Sequence, residues 1–369
     1  TTPASKIEKG KISVGKLWVD RVFEYAKKYC LPKVTMEFTG GEPLLNSDLI
    51  REICSYAYNK FKEINLLPNF ILSTNLTKLG SKEIQLLKDF EINIQVSLDG
   101  PRDIHNLHRP YASGKGSFDT VISNIEILKK ENINVSSIAS VISAYTVDRI
   151  PEIAQFIIDL GYNHMTLQPM QPIGRGKEII DLLPAPEVYV DNLFKTIKTV
   201  CLPYWNKYKT YLHIRHLGIV FAYLLEPWRS YMCQRSPCGN ARNIIATKSN
   251  GDVYGCNQAP FNEETILGNI YDMSFEECIE SDNEIKFQKR TIDRIDECRV
   301  CIFRSFCQGG CPKSALALHD NIYAPGDTCE LNKLLFTKGI ETILDSKIPE
   351  ELIRQFSVSY SRKREKMRR

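Results

Sequence analysis

The sequence predicts an α/β protein with a parallel sheet, followed by a loop-rich region organised by cysteines. Strand-like and helix-like segments alternate through the first half, and polar or glycine-rich stretches fall just after the strand-like ones. Eight of the twelve cysteines then form a ladder in the second half: Cys233, Cys238, Cys256, Cys298, Cys301, Cys307, Cys311 and Cys329. Repeated βα units make sequential strands parallel, either closed into a barrel or left as an open doubly wound sheet, and periodicity alone does not separate the two.

Five strands are expected, at residues 33–38, 69–73, 92–97, 135–142 and 164–167, each short and rich in β-branched or large apolar side chains. Between them the helical period shows as Leu49, Ile53, Ala57 and Phe61, then as Phe118, Val121, Ile122, Ile125 and Leu128, then as Ile150, Ile153, Phe156, Ile157 and Leu160. In either parallel architecture the carboxyl ends of the strands meet the ligand. Gly40-Gly41-Glu42-Pro43, Ser73-Thr74-Asn75, Ser97-Leu98-Asp99-Gly100 and Gln168-Pro169 occupy those ends, so four strand ends are expected to share one chemical surface.

Residues 1–183 are assigned to this sheet domain, and the first sixteen are read as polar loop. Residues 184–230 turn helical and read as a bridge. Residues 231–331 have few long periodic elements, although Asn250-Gly251-Asp252 suits a hairpin turn between Ile244-Ile245-Ala246 and Val253-Tyr254. Such a segment carries too little apolar pattern for a core of its own, and bound metal would supply the missing stability. Residues 332–369 close the chain with a helix, begun after Cys329, and a basic tail.

At 369 residues and 43% hydrophobic, the chain is long enough for a full core and a second, smaller domain. No run approaches the roughly 18 apolar residues of a membrane span, and nothing at the front resembles a signal peptide, so a cytoplasmic, membrane-free protein is expected. In that compartment clustered cysteines read as metal ligands before disulfides. The formal charge is +4, but residues 361–369 carry six basic residues against one acid, leaving the rest near −1. That balance argues against a nucleic-acid-binding face on the folded part, and the tail reads as a solvated end.

Thiolates spaced as Cys298-x2-Cys301-x5-Cys307-x3-Cys311, with Cys238-x12-Gly251-x4-Cys256 before and Cys329 after, suit either iron–sulfur clusters or structural zinc. Eight ligands make two four-coordinate sites. Cys30, Cys54, Cys201 and Cys278 stand apart and read as buried small apolar residues. After the first strand, two glycines allow close backbone approach, and Glu42 or nearby carbonyls suit an ammonium group. His213 and His216 could share a helical face as metal ligands, yet packing is the simpler reading, and Gly174-Arg175-Gly176 reads as a loop.

Gly-Gly-Glu-Pro after a strand, Ser73-Thr74-Asn75, Ser97-Leu98-Asp99-Gly100-Pro101 with His105 and Arg109 following, and Gly114-Lys115-Gly116-Ser117-Phe118 together resemble the radical S-adenosylmethionine superfamily. The cysteine ladder resembles that superfamily's SPASM extension, and the overall likeness is to anaerobic sulfatase-maturating enzymes and related peptide maturases. The resemblance implies a TIM-like partial (β/α)6 barrel that lacks its first strand here, with a C-terminal iron–sulfur domain. It implies S-adenosylmethionine bound by Gly40, Gly41 and Glu42 at its amino group, with Ser73 and Asn75 in the same strand-end set. Ser97 and Asp99 match the position at the ribose or carboxylate, Arg109 the one at the carboxylate, and Leu167 the backbone contact beside adenine. It also pairs Cys233, Cys238, Cys256 and Cys311 at one auxiliary [4Fe–4S] cluster and Cys298, Cys301, Cys307 and Cys329 at a second. A peptide or protein substrate and an electron donor such as flavodoxin or ferredoxin follow from the same likeness.

Two departures stand out. The superfamily's Cys-x3-Cys-x2-Cys, which binds a third, catalytic [4Fe–4S] cluster, is not among these residues. The expectation is a segment lost from the front, against the alternative of a cluster-free electron-transfer or peptide-binding protein. The sulfatase maturases also carry an Asp just after the cysteine matching Cys256, whereas this chain has Asn257, and an amide takes no proton at neutral pH. A peptide-modifying oxidoreductase, forming a crosslink, thioether, epimer or oxidised side chain through a 5'-deoxyadenosyl radical, is therefore expected ahead of a formylglycine-forming maturase, with Asn257 positioning substrate.

Overall fold

Six strands, not five, form the main sheet of the computed structural model, which describes residues 11–210, 212–226, 231–258 and 260–357. They are β1 (Thr35–Phe38), β2 (Asn69–Thr74), β3 (Asn93–Ser97), β4 (Val135–Ile142), β5 (His164–Pro169) and β6 (His213–Ile214), all parallel and paired in chain order. A doubly wound sheet reverses its order at a switch point, whereas an unbroken order is singly wound and keeps its helices on one face. The barrel-type alternative is therefore the one adopted. Met36, Leu72, Ile94, Val96, Ile138 and Leu167 are buried toward the helices. Alternate residues such as Glu37, Ser73, Gln95 and Gln168 are half-buried or exposed on the inner face.

The helices of this body are α1 (Ile12–Lys28), α2 (Ser47–Phe61), α3 (Ser81–Asp89), α4 (Arg102–His108), α5 (Phe118–Lys130), α6 (Ile150–Asp159), α7 (Pro186–Thr196), α8 (Leu202–Tyr208) and α9 (Arg215–Leu225). The first corrects the sequence reading, which left residues up to Lys16 as loop. Its helical period is obscured because it serves two cores: Val19, Phe23 and Ala26 join the main one, while Val14 and Leu17 pack on a second around Val253, Leu267 and Phe275. Gly15 allows close approach to α2, since a Cβ there would meet Ile53 Cδ1 at 2.5 Å. The bridge is also corrected. β6 lies within residues 184–230, too short to show a period, and α7 and α9 pack on the sheet domain, so that domain extends through α9. The opening residues 1–10 and the basic tail lie outside the described residues.

The cysteine region carries an antiparallel sheet of β7 (Ala246–Thr247), β8 (Asp252–Tyr254) and β9 (Ile266–Asn269). The predicted hairpin is present, closed by the Lys248 N–H to Asp252 carbonyl bond with Gly251 at φ +93°. Short helices follow: α10 (Phe275–Ile279), α11 (Asp282–Gln288), α12 (Asp296–Arg299), α13 (Arg304–Cys307) and α14 (Pro312–His319). The predicted closing helix, α15 (Cys329–Leu344), packs back on α7 and α9. Beyond it, Phe356 is fully buried and stacks on Phe221 at 5.5 Å. Among the described residues no helix is long and apolar enough to cross a membrane.

Candidate functional site

The loop after β1 is open at its glycines. Gly40 has φ +132°, and a Cβ on Gly40 or Gly41 would meet nothing within 4 Å, so these residues supply conformation and accessible backbone. Glu42 is held by donors of the protein itself. Its Oε1 accepts from Leu44 N (3.0 Å) and Thr74 Oγ1 (2.6 Å), and its Oε2 from Asn75 N (2.7 Å). The carboxylate bolts the glycine loop to the end of β2. Asn75 is held in turn, its Oδ1 accepting from the Thr77 N–H and hydroxyl.

At the end of β3, Ser97 is half-buried and paired in register with Ala139. Asp99 is completely buried. Arg109 donates Nε to Oδ2 (2.8 Å) and Nη2 to Oδ1 (3.1 Å), while Val141 N donates to Oδ1 (2.9 Å). Burial would raise this carboxyl, but His108, the charge and bonds of Arg109 and the Val141 N–H outweigh it and hold it below its ordinary value. Asp99 therefore faces Arg109 and orients its guanidinium, spending Nε and one Nη2 hydrogen on the pair and leaving the Nη1 side to other partners.

His105 completes this lock. Ser117 Oγ donates to the Arg109 carbonyl (2.6 Å), so it accepts from His105 Nε2–H (3.0 Å), and Nδ1 is left to accept from the Asp99 N–H (3.3 Å). Burial lowers the His105 pKa to about 4, in keeping with a neutral ring. Arg109, His105 and Ser117 line a cavity of about 200 Å3 with Asn75, Thr77 and Tyr111. Leu167 lies where β5 has run past the end of β6, and its carbonyl accepts from the buried Tyr189 hydroxyl (2.6 Å).

Ser73 belongs to a polar row across the inner face that the sequence reading did not assemble. Its hydroxyl lies 3.2 Å from Glu37 Oε1, and Gln95, its register partner, donates to Ser137 Oγ at 3.1 Å. Glu37 is the one carboxylate on the inner face of the described strands, and its signal was a lone charge between Met36 and Phe38 at the period of a strand. His213 and His216 do not share a helical face. The first sits on β6 with its ring 5.0 Å from His164, and the second is on α9 against Tyr189, its pKa lowered to about 3 by burial.

The eight ladder thiols fall into two groups. Cys238 and Cys311 each sense Cys256, Cys311 also senses Cys238, and Cys233 senses Cys256. Cys298 senses Cys301, Cys307 and Cys329, and the last two sense Cys301. Burial pushes Cys298 and Cys238 up to about 11 and Cys311 to about 12, and neighbouring thiolates of the same group add to the rise. Glycines bring the loops together. A Cβ on Gly255 would strike the Asn240 side chain at 2.1 Å, which draws Cys238 and Cys256 close, and one on Gly326 would strike Cys311 N at 2.6 Å, beside Cys329. Among the described residues no three His, Cys, Asp or Glu side chains converge tightly enough for one metal ion. A tetrahedral zinc holds its thiolates about 2.3 Å from one point, whereas a four-iron cluster meets each thiolate at a different corner. Of the remaining cysteines Cys54, Cys201 and Cys278 are buried as expected, but Cys30 is exposed at the left-handed end of α1.

Sequence reasoning also missed what supports these loops. Lys313 is 1% exposed and donates Nζ to the carbonyls of Gln258 (3.1 Å) and Cys256 (3.4 Å), strapping the segment that presents the exposed Asn257. Asn332 Nδ2 donates to Cys307 Sγ at 3.3 Å. Gln171, just past β5, donates to Asp327 Oδ2 (2.8 Å), and so ties the strand-end surface to the loop beside Cys329.

Comparison with known proteins agrees with the two-part fold. The radical SAM superfamily profile matches residues 5–157, and that of the SPASM iron–sulfur cluster-binding domain matches residues 238–302. The chain is 26% identical over 340 residues to a cysteine-type anaerobic sulfatase-maturating enzyme of Clostridium novyi (strain NT), covering 90% of this chain and 86% of that one. It is also 26% identical to the radical SAM cyclopropyl synthase TigE of Paramaledivibacter caminithermalis, over 88% of this chain and 64% of that protein. In fold it is similar to native anSMEcpe with bound AdoMet and Cp18Cys peptide, with a TM-score of 0.77, 21% identity, and coverage of 92% of this chain and 91% of that one. The chain thus combines a radical SAM domain with a SPASM iron–sulfur cluster-binding domain, and is similar to the anaerobic sulfatase-maturating enzymes.

Proposed function

We propose that this chain is the cofactor-binding barrel and auxiliary iron–sulfur domain of an oxidoreductase that modifies a peptide. The observation that carries the reading is the joining of two four-thiol groups to an open strand-end surface through Gln171 and Asp327. S-adenosylmethionine and iron–sulfur clusters are the cofactors that these two domains imply, and when bound they would supply a hydrogen-abstracting radical. The chain's part is to hold and orient. Gly40 and Gly41 offer carbonyls to the cofactor's ammonium group, and Ser97 and the Nη1 side of Arg109 offer donors to its carboxylate. Ser73, Asn75 and Leu167 border the same surface, with Glu42 and Asp99 fixing the groups in front of them. Cys233, Cys238, Cys256 and Cys311 hold one [4Fe–4S] cluster, and Cys298, Cys301, Cys307 and Cys329 the other. A small low-potential carrier such as flavodoxin or ferredoxin supplies electrons.

Asn257 favours a peptide maturase over a sulfatase maturase, because its amide offers no proton acceptor where those relatives have a carboxylate. Iron and sulfide analysis of the anaerobically purified chain tests the cluster reading. About eight iron atoms with matching sulfide support it, whereas zinc without sulfide sinks it. The peptide reading is tested with a cysteine-containing sulfatase peptide and the complete, reconstituted gene product, read by mass spectrometry. No formylglycine is expected with Asn257, and efficient formylglycine formation would return the assignment to the sulfatase maturases.

A further inference from the structure

Arg290, two residues after α11, is 4% exposed and lies where the two thiol groups meet. Its guanidinium donates to four carbonyls: Nη2 to Gly309 (2.8 Å) and Ala324 (2.9 Å), Nη1 to Gly310 (3.2 Å), and Nε to Ile322. Gly309 and Gly310 form the stretch between Cys307 of one group and Cys311 of the other, so the cation is seated on the link between them. All four of these acceptors are backbone carbonyls. Carbonyls solvate a buried cation but do not neutralise it, and a buried charge is costly unless a counter-charge lies near. Burial lowers the Arg290 pKa, and what opposes that fall is Cys311 and Cys238 from one group with Cys298 and Cys307 from the other.

We propose that Arg290 is a positioning residue, the shared counter-ion of the two auxiliary clusters, whose fixed charge favours an added electron on either and so sets both reduction potentials. This rests on the four-iron reading of the thiol groups. One cation between two anionic centres stabilises each reduced state by Coulomb attraction in a medium of low polarity. It also makes the two potentials move together.

The test compares R290Q, which removes the charge, with R290K, which keeps the charge and loses the fork, by EPR-monitored redox titration with iron and sulfide counts on the complete protein. In R290Q both auxiliary potentials are expected to fall by at least 59 mV, a tenfold change in a one-electron equilibrium, while R290K stays near the parent. Unchanged potentials in a fully loaded R290Q overturn the proposal, as does a fall in one cluster alone or an equal fall in R290K. If R290Q does not load, R290K decides. Full clusters at parental potentials support the charge, and loss of iron there too assigns Arg290 to loop structure instead. Absence of sulfide from the parent protein would defeat the cluster reading itself, a separate outcome.

Discussion

Replacing Asp99 by Asn tests whether the carboxylate acts through Arg109. The buried Asp99 accepts two bonds from the guanidinium and one from Val141 N. Hydrogen bonds to charged groups contribute about 1.5–3 kcal/mol each, and removing one side of a buried pair costs about 3–5 kcal/mol. Asn keeps the Val141 bond, and the Arg109 side chain is 28% exposed, so water recovers part of the loss. A net cost of about 2–3 kcal/mol remains, a Tm drop of roughly 3 °C. With the fork released, affinity for S-adenosylmethionine should fall roughly tenfold, equivalent to about 1.4 kcal/mol. The folded Asp99 carboxyl is held below its ordinary value, so its contribution is present above the unfolded pKa of about 3.9 and lost as pH falls through the lower, folded one. The difference in Tm between parent and D99N should therefore be constant from about pH 5 to 8 and close only at lower pH. Differential scanning fluorimetry and anaerobic calorimetric titration measure both effects. A D99N protein with parental Tm and parental cofactor affinity would refute the argument.

Three further outcomes are expected. His105, lowered to about 4 when folded against about 6.5 unfolded, resists protonation in the native state. Stability on the order of 3 kcal/mol is thus complete above pH 6.5 and lost as pH falls toward 4, and H105Q should flatten that part of the Tm profile. Glu284 is raised to about 7 by burial, partly opposed by bonds from Gln288 and Asn240. Its contribution is present below the unfolded carboxyl pKa and lost as pH rises through 7, so E284Q should stabilise the protein by about 1–3 kcal/mol at pH 8 and little at pH 5. Gly40→Ala places a Cβ in open space but at φ +132°. Its cost of about 1–3 kcal/mol is backbone strain, and it should weaken cofactor binding in calorimetric titration more than it lowers Tm.

The sequence showed most clearly what has a period or a spacing. The helices at α2, α5 and α6 and five of the six parallel strands were legible because each repeats apolar residues at its own interval. The cysteine ladder was legible because ligand spacing is local. β6 was missed because two residues carry no period, and α1 because serving two cores blurs its apolar stripe. Glu42 and Asp99 were recognised as site residues without the protein donors that hold them, since a motif fixes where a carboxylate sits along the chain and not which donors surround it.

By itself the sequence determined the alternating βα order, the strand ends as the chemical surface, and eight thiolates enough for two centres. Tertiary structure decided that the sheet is singly wound, that Glu42 is bonded to the end of β2 and Asp99 to Arg109, and that the thiols divide across the Gly309–Gly310 link. It also seated Arg290 on that link, by hydrogen bonds to residues 19 to 34 positions away. Local pattern encodes periodicity and spacing, whereas burial and the pairing of charges depend on which distant segments the fold brings into contact.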